Sequence, residues 1–178
     1  MWIFGYGSLI WRPNLDFVES RDGYVRGWSR RFYQGSTDHR GVPGAPGRVA
    51  TLVHAPDAHV WGRAYRVSPT QRDQILAQLD HREKGGYERT WVEVVVPGGE
   101  DIAEALVYIG TPENPEWLGE ASPEEIARQI LVSHGPSGPN PEYLLELAES
   151  LRQMPGADDP HIFAIERALL ELQRATSG

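Results

Sequence analysis

Thr90-Trp91-Val92-Glu93-Val94-Val95-Val96, then Pro97-Gly98-Gly99, then Ala103-Glu104-Ala105-Leu106-Val107-Tyr108-Ile109 is the stretch that sets the class of structure. Both flanks mix alternating polarity with β-branched and aromatic residues. That is the pattern of strands in a sheet with one wet face, and the Pro-Gly-Gly between them reads as a hairpin turn. Outward from this pair, residues 2–6, 24–34, 48–54, 59–67, 87–96 and 102–109 all read as strands. A turn at Ala55-Pro56-Asp57 is expected to separate the third from the fourth.

Beyond the strands, four helix starts share one device, a capping residue followed by proline: Ser68-Pro69, Ser122-Pro123, Asn140-Pro141 and Asp159-Pro160. Proline pushes its predecessor into the extended conformation an N-cap needs and itself supplies the helical φ of the first turn. Ser122 and Glu125 have the spacing of a capping box. Leu144, Leu147, Ala148 and Leu151 form one apolar stripe, and Ile162, Ile165, Leu169 and Leu172 another, so these two helices are expected to pack on the sheet. The glycine- and proline-rich residues 35–47 and the segment 110–121 read as long loops, which are commonly functional.

A chain of 178 residues with 40% hydrophobic content, six Trp and seven Tyr is long enough to bury one real core. It contains no cysteine, which excludes disulfides, thiolate metal sites, iron–sulfur clusters and a cysteine nucleophile. The apolar N-terminus is broken by Gly5, Gly7 and Ser8 and lacks a basic leader, so neither a signal peptide nor a membrane span is expected, and the cytoplasm is the expected compartment. A formal charge of −8 argues against binding a phosphate backbone. Residues 24–55 nevertheless carry Arg26, Arg30, Arg31, Arg40 and Arg48 against the single acid Asp38, either a local surface for a small carboxylate ligand or simply solvated strand edges.

Three places have the makings of chemistry. Phe4-Gly5-Tyr6-Gly7-Ser8-Leu9 runs from a strand into a glycine turn whose N–H groups can converge as an anion nest. It fails as a dinucleotide fingerprint, since Ile10 stands at the third glycine position, and as a nucleophile elbow, since Ser8 lacks the flanking glycines. A plain tight turn is the alternative. Glu83, in Asp80-His81-Arg82-Glu83-Lys84-Gly85-Gly86-Tyr87, sits where a helix should end, at the negative end of its macrodipole. Such a breach of helix electrostatics is characteristic of functional sites, and an exposed Glu compensated by Lys84 is the competing reading. Tyr143 occupies the first turn of a helix, where free N–H groups face outward; it is either a ligand contact or a packing residue. The six histidines show no metal-ligand spacing, and His81-x-Glu83 cannot be a zinc deaminase motif without cysteine.

Tyr6-Gly7-Ser8-Leu9-Ile10-Trp11, the run from Arg31-Phe32-Tyr33-Gln34 through Gly35-Ser36-Thr37-Asp38-His39-Arg40-Gly41, and Arg82-Glu83-Lys84-Gly85-Gly86-Tyr87 together resemble the ChaC family of glutathione-specific gamma-glutamylcyclotransferases. Pro46-Gly47-Arg48-Val49, Trp61-Gly62, Tyr108-Ile109-Gly110-Thr111 and Gly135-Pro136-Ser137-Gly138 extend the resemblance over nearly the whole chain. It implies one domain over residues 1–178 with a gamma-glutamylcyclotransferase-like α+β fold, a small mixed or antiparallel β-barrel with flanking helices. It implies that Ile3, Phe4, Gly5, Tyr6, Gly7, Ser8 and Leu9 hold the gamma-glutamyl group, that Glu83 is the proton acceptor and that Tyr143 contacts substrate. Arg30, Arg31 or Arg40, on charge placement, is a candidate for the glycine carboxylate of glutathione. No cofactor, metal, nucleic-acid or membrane partner is expected, and the chain is expected as a monomer or weak dimer. The rivals are a cyclotransferase for other gamma-glutamyl amines or amino acids, and a non-catalytic barrel that binds an acidic metabolite.

Overall fold

Alternation in the first two thirds of the chain becomes five strands in the computed structural model, which describes residues 1–178. These are β1 (Trp2–Gly5), β2 (Glu19–Ser36), β3 (Gly47–Arg66), then, after helix α1 (Arg72–Arg82), β4 (Glu88–Val94) and β5 (Ile102–Ile109). The remainder is α2 (Pro123–Val132), a short hairpin of β6 (His134–Gly135) and β7 (Gly138–Pro139), α3 (Asn140–Arg152) and α4 (Pro160–Ser177). The residues fall into two units: 1–29 with 52–115, and 30–51 with 116–178, so β2 and β3 each contribute to both.

In the first unit the strand order is β2-β3-β1-β5-β4. Trp2 to Gly5 pair antiparallel with Arg66 to Arg63 of β3, and Trp2 and Ile3 pair parallel with Ala105 and Leu106 of β5. Ile3 and Phe4 are consecutive and so point to opposite faces of the sheet, and both are inaccessible, so this central strand is covered on both faces. β4 and β5 form the expected antiparallel pair, from Glu88 opposite Ile109 to Val94 opposite Ile102, and Gly99 N–H closes the turn on Val96 O at 3.0 Å. α1 lies over this sheet through Ile75 and Leu79, which join Ile3, Leu9, Val67, Leu106 and Tyr108 in one core.

Two expectations are corrected here. The strands do not close into a full barrel: the outermost members are joined only by the two-bond bridge between Tyr24 and Val95 (3.0 and 2.8 Å). Nor does Ala55-Pro56-Asp57 break the chain, because β3 runs through it unbroken for 20 residues. Pro56 and Asp57 are exposed and β1 pairs with β3 only at residues 63–66, so the proline lies outside the β1–β3 ladder, in a stretch where an absent N–H is tolerated.

In the second unit the apolar stripes do what their spacing demands. Leu144, Leu147, Ala148 and Leu151 of α3, Ile162, Ile165 and Leu169 of α4, and Ile126, Ala127 and Ile130 of α2 are all fully buried. Ser122 forms the capping box with Glu125, and Asp159 caps α4 through Ile162 N–H at 3.2 Å. The other two proline starts behave differently. α1 begins only at Arg72, without a side-chain cap, after a turn in which Gln71 N–H meets Ser68 O. Pro139, not Asn140, is the N-cap of α3.

Candidate active site

The chain reverses direction immediately after β1. Gly5 is required by that reversal: a Cβ on it would lie 2.7 Å from Leu9 Cβ, inside van der Waals contact. The turn is closed by Ile10 N–H on Gly7 O (2.9 Å) and Arg12 N–H on Ser8 O (2.7 Å). Neighbouring strands pin it: Tyr6 donates its hydroxyl to Tyr108 O of β5, and Tyr65 of β3 donates to Leu9 O, each at 2.6 Å. All of residues 3–9 are buried except Ser8, which is half-buried.

The end of α1 meets this turn. Glu83 is the C-cap residue, half-buried, with its N–H bonded to Leu79 O at 2.8 Å. Its predecessor Arg82 donates to Ser8 Oγ (2.6 Å), Arg12 O (3.1 Å) and Pro13 O (3.2 Å). On the far side, Asn114 Nδ2 donates to Gly85 O at 2.7 Å, and Gly86 takes φ +92°, a conformation that glycine adopts without strain. One turn earlier Asp80 receives Arg89 Nε at 3.0 Å, a second contact from Arg89 Nη2, and Tyr108 Oη at 2.7 Å. Hydrogen bonds from Arg89 and then Tyr108 hold the Asp80 carboxyl below its usual range, while burial, then Asp80, pushes the Tyr108 phenol up to about 12.

The remaining sequence candidates belong to the second unit. Tyr143 is buried, accepts Ala50 N–H at 3.2 Å, and packs edge-on against Phe32 with ring centroids 5.8 Å apart. The Arg40 guanidinium lies 5.7 Å from the Tyr143 ring centre, donates to Pro139 O at 2.9 Å and stands 3.4 Å from Glu142. Arg30, with a side chain 0% exposed, pairs with Asp159 at 2.7 Å. Arg48 donates to Phe32 O, Gly119 O and Gln129 Oε1. The arginine-rich segment is therefore only in part a basic surface, since Arg30, Arg40 and Arg48 point inward to acids and carbonyls.

Within the first unit, then, the structure brings the turn at residues 3–9 together with the helix end that carries Glu83. Sequence reasoning missed Asn114 and the clamp made by Arg82. Arg82 had been legible only as a cation suited to a helix C-terminus, and Asn114 lay in an irregular segment with no periodicity to single it out. No group of three or more His, Asp or Glu side chains is arranged to hold a metal ion, and no helix is long and apolar enough to cross a membrane.

Residues 1–172 match the family model described as ChaC-like protein. Over 174 residues the chain is 49% identical to the glutathione-specific gamma-glutamylcyclotransferase 1 of Danio rerio, covering 96% of this chain and 89% of that protein. The Homo sapiens protein of the same name is 47% identical over 173 residues, covering 95% and 78%. A crystal structure of a gamma-glutamyl cyclotransferase specific to glutathione from yeast superimposes with a TM-score of 0.89 at 32% identity, covering 96% of each chain.

Proposed function

The chain belongs to the ChaC-like family, and on that footing we propose that it is a glutathione-specific gamma-glutamylcyclotransferase with Glu83 as its general base. The observation that carries the site assignment is the Arg82–Ser8 hydrogen bond, which sets the residue preceding Glu83 directly on the turn after β1.

The chemistry suits so sparse a set of side chains. In glutathione the α-amine and the γ-carbonyl carbon belong to one molecule, so ring closure needs no protein nucleophile, and holding the substrate folded is worth about 7 to 11 kcal/mol by orientation alone. Glu83 takes a proton from the substrate ammonium. The freed amine nitrogen attacks the γ-carbonyl carbon, forming the ring C–N bond and moving the carbonyl π pair onto oxygen. The role assigned to the backbone N–H groups of residues 6–9 is to stabilise that oxyanion, a kind of donor worth roughly 3 kcal/mol apiece. Collapse of the intermediate breaks the bond to the cysteinyl nitrogen, and Glu83 returns its proton there. The ring nitrogen gives up a second proton to solvent as the leaving amine takes one, so no net proton is consumed. The products are 5-oxoproline and cysteinylglycine.

Purified protein incubated with glutathione, without added metal or nucleotide, is expected to release 5-oxoproline. In competition with gamma-glutamylalanine, glutathione is expected to be the preferred substrate. Ligand-induced thermal stabilisation without any product would instead support a binding protein, and preference for gamma-glutamylalanine would move the chain to the broader cyclotransferase class.

A further inference from the structure

We propose that Arg82 is a positioning residue for this reaction, holding the main chain at Glu83 in fixed register with the turn at residues 5–9, and that Asn114 holds it from the other side. The inference rests on the assignment of Glu83 as base.

Glu83 is poorly placed to be rigid on local grounds. It terminates a helix, where the last carbonyls have no intrahelical partners and the chain tends to fray. Lys84-Gly85-Gly86 follows, and two glycines in succession give the backbone its widest freedom. A carboxylate on such a segment would sample many positions, yet a base displaced by about 1 Å can lose on the order of a hundredfold in rate.

Anchors flank it closely. Arg82, one residue before, spreads its guanidinium over three acceptors, Ser8 Oγ and the carbonyls of Arg12 and Pro13, so that it grips both the turn and the chain leaving it. Only a planar fork with several fixed donors reaches such a set; a lysine ammonium offers a point charge on a flexible stem. Two residues after Glu83, Gly85 O is held by Asn114, a side chain on a 5% exposed residue whose own N–H is bonded to Thr111 O. The Asp80 contacts with Arg89 and Tyr108 fix the preceding helical turn to β4 and β5. A surface cation serving only the helix macrodipole would need none of these bonds.

The test is steady-state kinetics on Arg82→Gln, Arg82→Lys, Glu83→Gln and the Arg82→Gln/Glu83→Gln double variant, each checked for native circular dichroism. For Arg82→Gln the expected result is a kcat about ten- to hundredfold lower with KM within about threefold, and partial recovery in Arg82→Lys. In the Glu83→Gln background the second substitution should add less than about threefold, because no base remains to be positioned. A folded Arg82→Gln with kcat within about twofold of the unsubstituted protein, or with kcat retained and KM raised, overturns the proposal. Should Arg82→Gln not fold, Arg82→Lys decides in the same way: lowered kcat at constant KM supports it and unchanged kcat overturns it. Near-normal turnover by Glu83→Gln alone would instead remove the base assignment, an outcome read independently of Arg82.

Discussion

Asn140 grips the backbone of Arg48 with both ends of its amide: Oδ1 accepts Arg48 N–H at 2.8 Å and Nδ2 donates to Arg48 O at 2.9 Å. Asn140 is completely buried, so a side chain at the start of α3 satisfies both main-chain groups of Arg48 away from water. Asn140→Ala would strand one buried N–H and one buried C=O, each costing about 1 to 3 kcal/mol. The expected outcome is a loss of about 2 to 5 kcal/mol in urea unfolding, well above the typical effect of a point substitution. A loss below about 1 kcal/mol would show that water replaces the amide at little cost.

Tyr143→Phe separates two roles of one hydroxyl. Removing the acceptor of Ala50 N–H is expected to cost about 1 to 3 kcal/mol of stability, measured by the same titration. A KM for glutathione raised in the folded variant would add the substrate contact implied by the family resemblance; an unchanged KM would leave Tyr143 with packing alone.

His161 makes stability depend on pH. Its Nε2 accepts Phe32 N–H at 3.0 Å, and burial, then the nearby Arg31 cation, pull its pKa down to about 4, with Arg30 and Arg48 adding to the effect and Asp159 opposing it. The unfolded imidazole takes a proton near pH 6.5, whereas the folded one resists until about pH 4. Within that window the unfolded state binds more protons, so stability must fall as pH falls, by up to about 3 kcal/mol, and then level off. His161→Gln should lose less stability between pH 7 and pH 4.5 than the unsubstituted protein, by about 1 to 2 kcal/mol. Equal losses in both would take His161 out of the acid response.

Much of the architecture was legible because local chemistry and tertiary structure agree at the decisive points. The β4–β5 hairpin follows from alternation on either side of Pro97-Gly98-Gly99, and the Ser122 and Asp159 caps from their short side chains preceding proline. Asn140 carries the same local signal, but its amide is bonded to Arg48, and tertiary partners outcompeted the cap. Ala55-Pro56-Asp57 has the composition of a turn, yet an exposed stretch of a long strand tolerates it. At the candidate site, sequence singled out Glu83 by its unfavourable place at a helix end and the glycine turn by its composition, and the structure sets the two segments side by side through Arg82 and Ser8. The Arg82 clamp and Asn114 were invisible, since their acceptors are backbone carbonyls and a hydroxyl distant in the chain, and no residue spacing encodes those.

The measurement that bears most directly on the whole account is 5-oxoproline release from glutathione by Glu83→Gln, beside the unsubstituted protein, with the fold of both verified by circular dichroism. Glutamine keeps the size of the side chain and abolishes the base, so turnover is expected to drop by about 10²- to 10⁴-fold while the structure persists. Product release close to that of the unsubstituted protein would contradict the assignment of residue 83 as the group that moves the proton.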